Sequence, residues 1–256
     1  MSSINRVVVV TGAGSGIGAA LARRLAAPGI GLLLHSRGGD EAGLARLGGV
    51  ARSCADAGAE PRMAVGDLVA KGSGTAAIAA ALDGFGRLDQ VVHNAGFADR
   101  SPFGELRREG LEASLAAMPV AFLEMVSAAL PELAASPHGR VVAVSSFVAH
   151  RYEAGRLFPA SAAAKAALEA LAKSLAVQLA PSGTTVNIVV PGYTKKDEGK
   201  TGALSLGAWA EVASLSPQQR LASTADIASA IAFLLSDEAS HITGATLHVD
   251  GGLTLA

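Results

Sequence analysis

The sequence predicts a single-domain, doubly wound α/β fold with a parallel seven-stranded sheet and helices on both faces. Short β-branched runs alternate with longer Ala- and Leu-rich segments of helical period from one end of the chain to the other. The strand candidates are continuously apolar rather than alternating, which indicates burial on both faces between helical layers. Repeated strand–helix–strand units with right-handed crossovers then build a doubly wound sheet.

Each predicted strand is a short apolar run. The first contains four consecutive valines, the second three consecutive leucines, and every later one at least one valine. The strands are expected at Val7–Val10, Gly31–His35, Arg62–Gly66, Asp89–His93, Arg140–Ser145, Thr184–Val190 and Thr246–Val249. A (β/α)8 barrel shares this alternation, but the sequence supplies one strand too few, and the turn after the first strand argues against it.

The segments between the strands carry apolar residues at helical spacing. Helices are expected near Ile17–Ala27, Glu41–Ala57, Thr75–Leu82, Leu111–Ala134, Ala162–Ala180 and Ala225–Leu235. Because no stretch resembles an interdomain linker, a repeat or a low-complexity tract, residues 1–256 are interpreted as one domain.

Composition excludes several classes of function. Hydrophobic residues make up 50% of the chain and charged residues 17%, which predicts a sizeable core and excludes extensive disorder. The 21 basic and 22 acidic side chains nearly cancel, so no positive field attracts nucleic acid or a membrane surface. A single cysteine, Cys54, excludes an internal disulfide, and the histidines lack metal-ligand spacing. With no signal peptide and no apolar stretch approaching the roughly 20 residues of a membrane span, a cytoplasmic protein is expected.

The turn after the first strand, Thr11–Gly18, predicts a nucleotide site. Glycines permit a tight turn and let backbone N–H groups approach a pyrophosphate, which the N-terminus of the following helix attracts electrostatically. A lone glycine cluster is a weak signal, but its place between a valine strand and an Ala/Leu helix strengthens it. The alternative is a glycine-rich turn that serves compactness only.

The spacing Thr-Gly-x-x-x-Gly-Ile-Gly in this turn resembles the short-chain dehydrogenase/reductase family, which has a Rossmann-like fold. His93–Gly96 is similar to the family's Asn-Asn-Ala-Gly segment, and Asp67–Leu68 to its adenine-contacting Asp. Pro191–Gly192 resembles the turn near the nicotinamide, and Ile242–Gly252 resembles the C-terminal strand and turn. The cofactor contacts that this resemblance implies are Gly12, Ser15, Gly16, Ile17, Gly18, Asp67, Leu68, Asn94, Ala95, Gly96, Lys165, Pro191 and Gly192.

The end of the second strand predicts NADP(H) rather than NAD(H). NAD enzymes of this architecture place an acidic residue there to bind the ribose hydroxyls, whereas this strand ends in Ser36 and Arg37. A hydroxyl followed by a guanidinium suits a 2′-phosphate, which a carboxylate would repel. Two observations oppose this interpretation: Asp40 and Glu41 lie close by, and Ser15 holds a loop position that is often basic in the family's NADP enzymes. The alternative for Arg37 is a solvated surface residue.

The family transfers a hydride between nicotinamide and a carbonyl or alcohol carbon, using a Tyr four residues before a Lys, together with a Ser and an Asn. By this resemblance Lys165 is the Lys, but Ser161 stands where the Tyr is expected. Ser146, with Ser145 beside it, corresponds to the catalytic Ser, and Met118 falls at the usual Asn position. A serine hydroxyl is far less acidic than a phenol, so a slower reductase is expected, since positioned acid–base catalysis is worth roughly 100- to 10,000-fold.

Neighbouring residues have open roles. Tyr152 and His150 lie in a loop longer than is usual in the family and are candidates for a replacement proton donor. The alternative places both at a pocket rim or a subunit contact. The alternative for Ser146 is a serine that simply begins a loop.

The segment Tyr193–Lys200 falls where the family carries its substrate lid. Its lysines, Lys195, Lys196 and Lys200, suit either recognition of an acidic substrate or plain solvation. Trp209, in the helical segment that follows, either lines the pocket or packs.

Three functions follow as hypotheses. The first is an NADP(H)-dependent oxidoreductase acting on a small carbonyl compound or secondary alcohol, with an altered proton-transfer residue. The second, favoured by Ser161 and Met118, is a cofactor-binding scaffold, sensor or inactive subunit. The third is non-redox chemistry such as dehydration, with Lys165 or a loop residue as base. Substrate identity is beyond the sequence, because variable loops build the pocket.

The resemblance also implies a homotetramer, or a dimer, with the long helices after strands four and five packed across a two-fold axis. The alanines expected to allow close helix approach are Ala162, Ala166, Ala170 and Ala176.

Overall fold

The computed structural model describes residues 4–195 and 206–256. Its strands are β1 (Arg6–Thr11), β2 (Ile30–Ser36), β3 (Glu60–Val65), β4 (Gln90–His93), β5 (Arg140–Val144), β6 (Thr185–Pro191) and β7 (Thr246–Val249). Its helices are α1 (Gly16–Leu25), α2 (Glu41–Asp56), α3 (Ser73–Phe85), α4 (Arg108–Leu115), α5 (Ala121–Ala135), α6 (Pro159–Leu179), α7 (Leu206–Ser214) and α8 (Thr224–Leu235). All seven predicted strands are present, within a few residues of the expected bounds.

The strands form one sheet in the order β3-β2-β1-β4-β5-β6-β7, and every adjacent pair is parallel. The order reverses between β1 and β4, where the chain has crossed from one half of the sheet to the other. In sheets of this kind a crevice opens outside the carboxyl ends of the strands at that point. The predicted doubly wound α/β fold is therefore confirmed, and it places the glycine-rich turn at the crevice.

Alternate valines of β1 face opposite layers. Val7 and Val9 join a buried cluster with residues of α3, α5 and α6, whereas Val8 and Val10 join a second cluster with residues of α1, α2 and α8. Because both faces of the central strands are covered, a continuous apolar run is what these positions require.

The predicted helix Leu111–Ala134 is interrupted. A π-helical segment, Ala116–Val120, lies between α4 and α5 and contains Pro119. Proline has no N–H to donate and its ring clashes with the preceding turn, so the regular hydrogen-bond ladder cannot pass through it. The distorted segment includes Met118, and such π-segments are frequent at functional sites.

The stretch Arg108–Ala135 is long and apolar enough to cross a membrane by length and composition, yet 50% of its most apolar window is buried inside the protein. A core helix passes the same test, so the stretch is weak evidence for a membrane span.

Candidate active site

The glycine-rich turn is held in a conformation that only glycines fit. Gly12 and Gly16 have φ angles of 68° and 58°, in the left-handed region. A Cβ on Gly12 would lie 2.9 Å from Asn94 Nδ2, and one on Gly18 would collide with the carbonyl oxygen of Gly12. The turn therefore packs backbone against backbone, and α1 begins directly from it at Gly16.

Asn94 connects this turn to the end of β4 through hydrogen bonds. Its Nδ2 donates to the carbonyl oxygen of Thr11 at 2.9 Å. In return, Thr11 Oγ1 accepts from the backbone N–H groups of Asn94 and Ala95, each at 3.0 Å. The two central strand ends are thus fixed relative to each other at the crevice.

A cleft of about 690 Å³ runs along these strand ends. The sequence-predicted residues that line it are Gly12, Ser15, Gly16, Ile17, Ser36, Arg37, Asp67, Leu68, Asn94, Ala95 and Gly96. Gly18, Lys165, Pro191 and Gly192 are not among its lining residues. Gly18 lies beneath the turn instead, and a Cβ on Gly192 would lie 2.7 Å from the Cα of Asp250, so that glycine allows close passage of two chain segments.

Two arginine side chains lie at the β2 end of the cleft. Arg37 and Arg46 both line it, next to Ser36. Asp40 is directed elsewhere: its Oδ1 accepts from Gly43 N at 2.6 Å as the N-cap of α2. Arg46 was not predicted, because only the packing of α2 beside β2 brings it to the cleft.

Lys165 is buried at the inner end of the site. It is 7% exposed, and its Nζ donates to the carbonyl oxygen of Val144 at 2.6 Å. A Cβ on Gly96 would lie 3.3 Å from that Nζ, so the backbone of Gly96 approaches the ammonium closely. Burial lowers the pKa of Lys165 to about 8, while the negative charge of Glu169 opposes the shift.

Ser161 lies one helical turn before Lys165 and is also buried. Its Oγ accepts from the backbone N–H of Asp99 at 2.8 Å and lies 3.5 Å from the carbonyl oxygen of Phe97. The hydroxyl therefore anchors the loop that follows β4. An aromatic ring extending along the direction of Oγ would meet the main chain of this loop.

Two consecutive serines follow the end of β5. Ser146 caps a short 3₁₀ turn by accepting from Val148 N at 3.4 Å. Ser145 is buried and donates to Glu169 Oε1 at 2.5 Å. Glu169 was not predicted as a site residue. The available signal was a carboxylate on the apolar side of α6, one turn after Lys165.

Met118 and His93 close the far side of Lys165. Met118 is fully buried, and a Cβ on Gly96 would lie 3.4 Å from its Sδ. The ring of His93 is fully buried, with its centroid 5.8 Å from that of Phe122. Burial, followed by the charges of Lys165 and His35, lowers the pKa of His93 to about 3, so this imidazole is neutral.

Tyr152 and His150 point in different directions. Tyr152 is 70% exposed, and its hydroxyl donates to the carbonyl oxygen of Ala149 at 3.3 Å. His150 Nε2 lies 2.8 Å from Glu169 Oε1. The structure therefore places His150, but not Tyr152, in contact with Glu169, which lies one helical turn after Lys165.

The lid segment is described only in part. Lys195 lines the cleft beside Thr194. Lys196 and Lys200 lie outside the described residues, as does the side chain of Trp209. Among the residues that are described, no cluster of three His, Cys, Asp or Glu side chains is arranged to hold a metal ion.

Comparison with known proteins gives consistent matches. Residues 12–254 match the family model described as enoyl-(acyl carrier protein) reductase. The chain is 39% identical to cis-4-hydroxycyclohexanecarboxylate dehydrogenase of Sinomonas cyclohexanicum, over 97% of this chain and 96% of that protein.

Solved structures agree over the full length. A short-chain dehydrogenase/reductase from Serratia marcescens BCRC 10948 superposes with a TM-score of 0.88 and 28% identity, over 99% of this chain and 100% of that one. The angucycline C-6 ketoreductase LanV with bound NADP gives the same TM-score of 0.88 and 28% identity, over 100% of this chain and 98% of that one.

Proposed function

The chain belongs to the short-chain dehydrogenase/reductase family, and on that premise we propose that it is an NADP(H)-dependent oxidoreductase that interconverts a small carbonyl compound and a secondary alcohol. The bound nicotinamide would supply or accept the hydride. The 39% identical relative is named for a cyclic hydroxy acid, and LanV is named as a ketoreductase, which supports this substrate class.

One observation carries the proposal: the chain segment Asn94–Gly96 at the cleft floor contacts the glycine-rich turn at one end and lies close to Lys165 at the other. Asn94 ties the turn to β4, and Gly96 brings the same chain segment against the Lys165 ammonium. A dinucleotide lying along this floor would have its phosphates on the turn and the helix N-terminus of α1. Its nicotinamide end would lie toward Lys165 and Ser146.

NADP(H) preference is supported by the charges at the β2 end. Arg37 and Arg46 offer guanidinium groups beside the Ser36 hydroxyl, a combination suited to a 2′-phosphate. Asp40 accepts from Gly43 N as the N-cap of α2, and neither Asp40 nor Glu41 is among the residues lining the cleft. Within residues 30–37, which form β2 and its end, no carboxylate is present to bind the hydroxyls of an unphosphorylated ribose.

We propose that proton transfer is the altered step. Lys165 and Ser146 stand at the family's Lys and Ser positions, and Ser161 stands at the Tyr position. The Ser161 hydroxyl holds the loop through Asp99 N and is a weak acid, so it contributes little to protonation. Ser146 would orient the carbonyl oxygen. The exposure of Tyr152 argues against its service as the replacement donor, so its conversion to Phe should leave turnover unchanged.

A second candidate is a cofactor-binding protein without redox turnover. The engagement of Ser161 in loop anchoring favours it, because the hydroxyl at the Tyr position then has a structural task. Non-redox chemistry with Lys165 as base is the remaining alternative, and no contact in the site favours it specifically.

The experiment is a fluorescence titration of the purified protein with NADPH and with NADH, followed by turnover assays on a carbonyl panel that includes 4-oxocyclohexanecarboxylate. We expect the Kd for NADPH to be at least about tenfold lower than that for NADH, a difference of roughly 1.4 kcal/mol. Failure to bind either cofactor would contradict the proposal. Binding without turnover across the panel would favour the second candidate.

We further propose a cytoplasmic homotetramer, or dimer, that binds neither nucleic acid nor membranes. The alanine face predicted for the subunit contact needs correction, because Ala162 and Ala176 are buried inside the chain. Ala166 and Ala170 are exposed on α6 and remain available. Val177, on the same helix, is 78% exposed and extends the apolar surface.

A further inference from the structure

Glu169 is a buried carboxylate that holds two hydrogen-bond partners. It is 6% exposed, and its Oε1 accepts from Ser145 Oγ at 2.5 Å and lies 2.8 Å from His150 Nε2. Burying a carboxylate costs free energy unless hydrogen bonds or an opposite charge compensate it. A carboxylate buried on this side of α6, rather than exposed on its solvent face, is therefore expected to interact with a group in the site.

The end of β5 organises Glu169 and Lys165 together. The carbonyl oxygen of Val144 accepts from Lys165 Nζ, and the next residue, Ser145, donates to Glu169. Lys165 and Glu169 are four residues apart on α6, so their side chains leave the same face of the helix. Ser146, the proposed catalytic serine, is the third residue of this run.

Within the described part of the chain, the carboxylate of Glu169 acts on Lys165 through space rather than through a direct ion pair. Burial disfavours the ammonium form, and the Glu169 carboxylate raises the pKa of Lys165 against that effect. On the opposite side, Met118 is apolar and His93 is neutral, so neither supplies a counter-charge. Among the described residues, Glu169 is the one whose charge raises the pKa of Lys165.

We propose that Glu169 is a positioning residue for Lys165, held in place by Ser145 and His150, and that its charge keeps the Lys165 ammonium protonated inside the site. This proposal rests on the proposed function, because the charge state of Lys165 matters as part of a cofactor and proton-transfer site. Glu169 itself acts through Lys165 rather than on the substrate.

The hydrogen-bonded group of Ser145, Glu169 and His150 borders a second cavity, which is separate from the cofactor cleft. The ring of His150 lies 4.7 Å from that of His248, which in turn lies 3.9 Å from Asp250 Oδ2. All three line this cavity of about 810 Å³, and none of them is among the residues lining the cofactor cleft. The titratable groups facing the hydrogen-bonded group are thus Lys165 and His93 on one side, and His248 and Asp250 on the other.

The test is an NMR titration of the Lys165 side chain in protein labelled with [13Cε]lysine, with the resonance assigned from its absence in Lys165→Met. Removal of the negative charge in Glu169→Gln should lower the Lys165 midpoint by roughly one pH unit, the size of effect that a close opposite charge exerts. Glu169→Asp keeps the charge and should stay closer to the wild-type midpoint. Lys173→Gln, an exposed charge change on the same helix, should leave the midpoint unmoved.

A purely structural role makes a different prediction. Glu169→Gln and Glu169→Asp would then both lower thermal stability while the Lys165 midpoint stays at its wild-type value, and that result would overturn the proposal. If Glu169→Gln does not fold, the double variant Lys165→Met/Glu169→Gln removes both charges. Recovery of folding would support the pairing, and failure to recover would overturn it.

The titration uses protein without nucleotide, so it does not depend on cofactor binding. If the wild type does not bind NADPH, the proposed function is refuted. A lower Lys165 midpoint in Glu169→Gln would still support the role of Glu169. The two failures are therefore distinguishable.

Discussion

At the scale of single residues, the guanidinium of Arg37 should govern cofactor choice. Arg37→Gln is expected to weaken NADPH binding about tenfold, because one charge-assisted contact to a phosphate is lost, and to leave NADH binding within about twofold. Fluorescence titration with both nucleotides measures this. Arg24→Gln, an exposed arginine on α1 away from the cleft, is the matched control. An equal loss of affinity for both nucleotides would refute a 2′-phosphate contact.

Ser161 should prove structural rather than acidic. Ser161→Ala removes the acceptor for Asp99 N, so stability should fall by about 1 kcal/mol while turnover changes less than about threefold. Ser161→Tyr should raise turnover toward the roughly 100-fold or greater gain of a positioned acid, provided that the loop beside Phe97 yields to the ring. Steady-state rates and thermal melts of the three proteins separate these effects. Loss of turnover in Ser161→Ala would instead identify the hydroxyl as the proton donor.

At the scale of secondary-structure elements, Asp89 joins three parts of the fold: β1, the segment before β4 and the segment after α5. Its carboxylate accepts from Val7 N of β1, from Arg87 before β4, and from Ser136 Oγ after α5, at distances between 2.6 and 3.0 Å. Burial alone would raise the pKa of Asp89, but these hydrogen bonds and the Arg87 charge outweigh it and hold the pKa below 3.8. The ionised form is therefore favoured in the folded state.

Asp89→Asn should lower the free energy of unfolding by about 2 kcal/mol at pH 7, because charged hydrogen bonds are lost from a buried site. Since the folded-state pKa of Asp89 is depressed, its contribution is complete above the unfolded value of about 4 and disappears as pH falls through the folded value. Urea denaturation at pH 7 and near pH 3 should show the gap between wild type and variant closing. A gap that is constant with pH would contradict an ionised Asp89.

The elements differ in how far the sequence predicts them. The inner strands are continuous, mostly apolar and buried runs, which the sequence alone reveals, whereas the edge strands β3 and β7 are partly polar and exposed. The break between α4 and α5 was missed, although Pro119 signals it, because helical spacing continues on both sides of the proline. The N-cap role of Asp40 was also available from its place before α2, and it gives one of the two carboxylates that opposed NADP(H) a structural task.

At the scale of the whole molecule, some site residues belong to local sequence motifs, whereas others reach the site only through tertiary packing. The glycine turn, Asn94 and Lys165 are local patterns and were predicted. Arg46 and Glu169 become site residues only when α2 packs beside β2 and α6 packs behind β5, and a single sequence does not encode those contacts in its spacing. The contact between His150 Nε2 and Glu169 Oε1 joins residues 19 positions apart, so it too depends on tertiary packing rather than on a local motif.

The exposed apolar face of α5 and α6 predicts self-association. Leu123 on α5 and Val177 on α6 are 49% and 78% exposed in the single chain, and the small residues Ala166 and Ala170 are exposed on α6. Small side chains let helices approach closely across a two-fold axis, and burial of such a face is favourable. Light scattering on a sizing column should therefore give a multiple of the 25.5 kDa chain mass, with a tetramer expected.

Ala170→Glu should shift this protein to smaller species, because the contact would bury an unpaired carboxylate on each side of the axis. Ala45→Glu places the same charge on an exposed position of α2 and should leave the assembly intact. If both variants keep the wild-type mass, the interface lies on another face. If the wild type itself runs as a monomer, the predicted assembly is wrong, and the apolar face of α5 and α6 then remains exposed in solution.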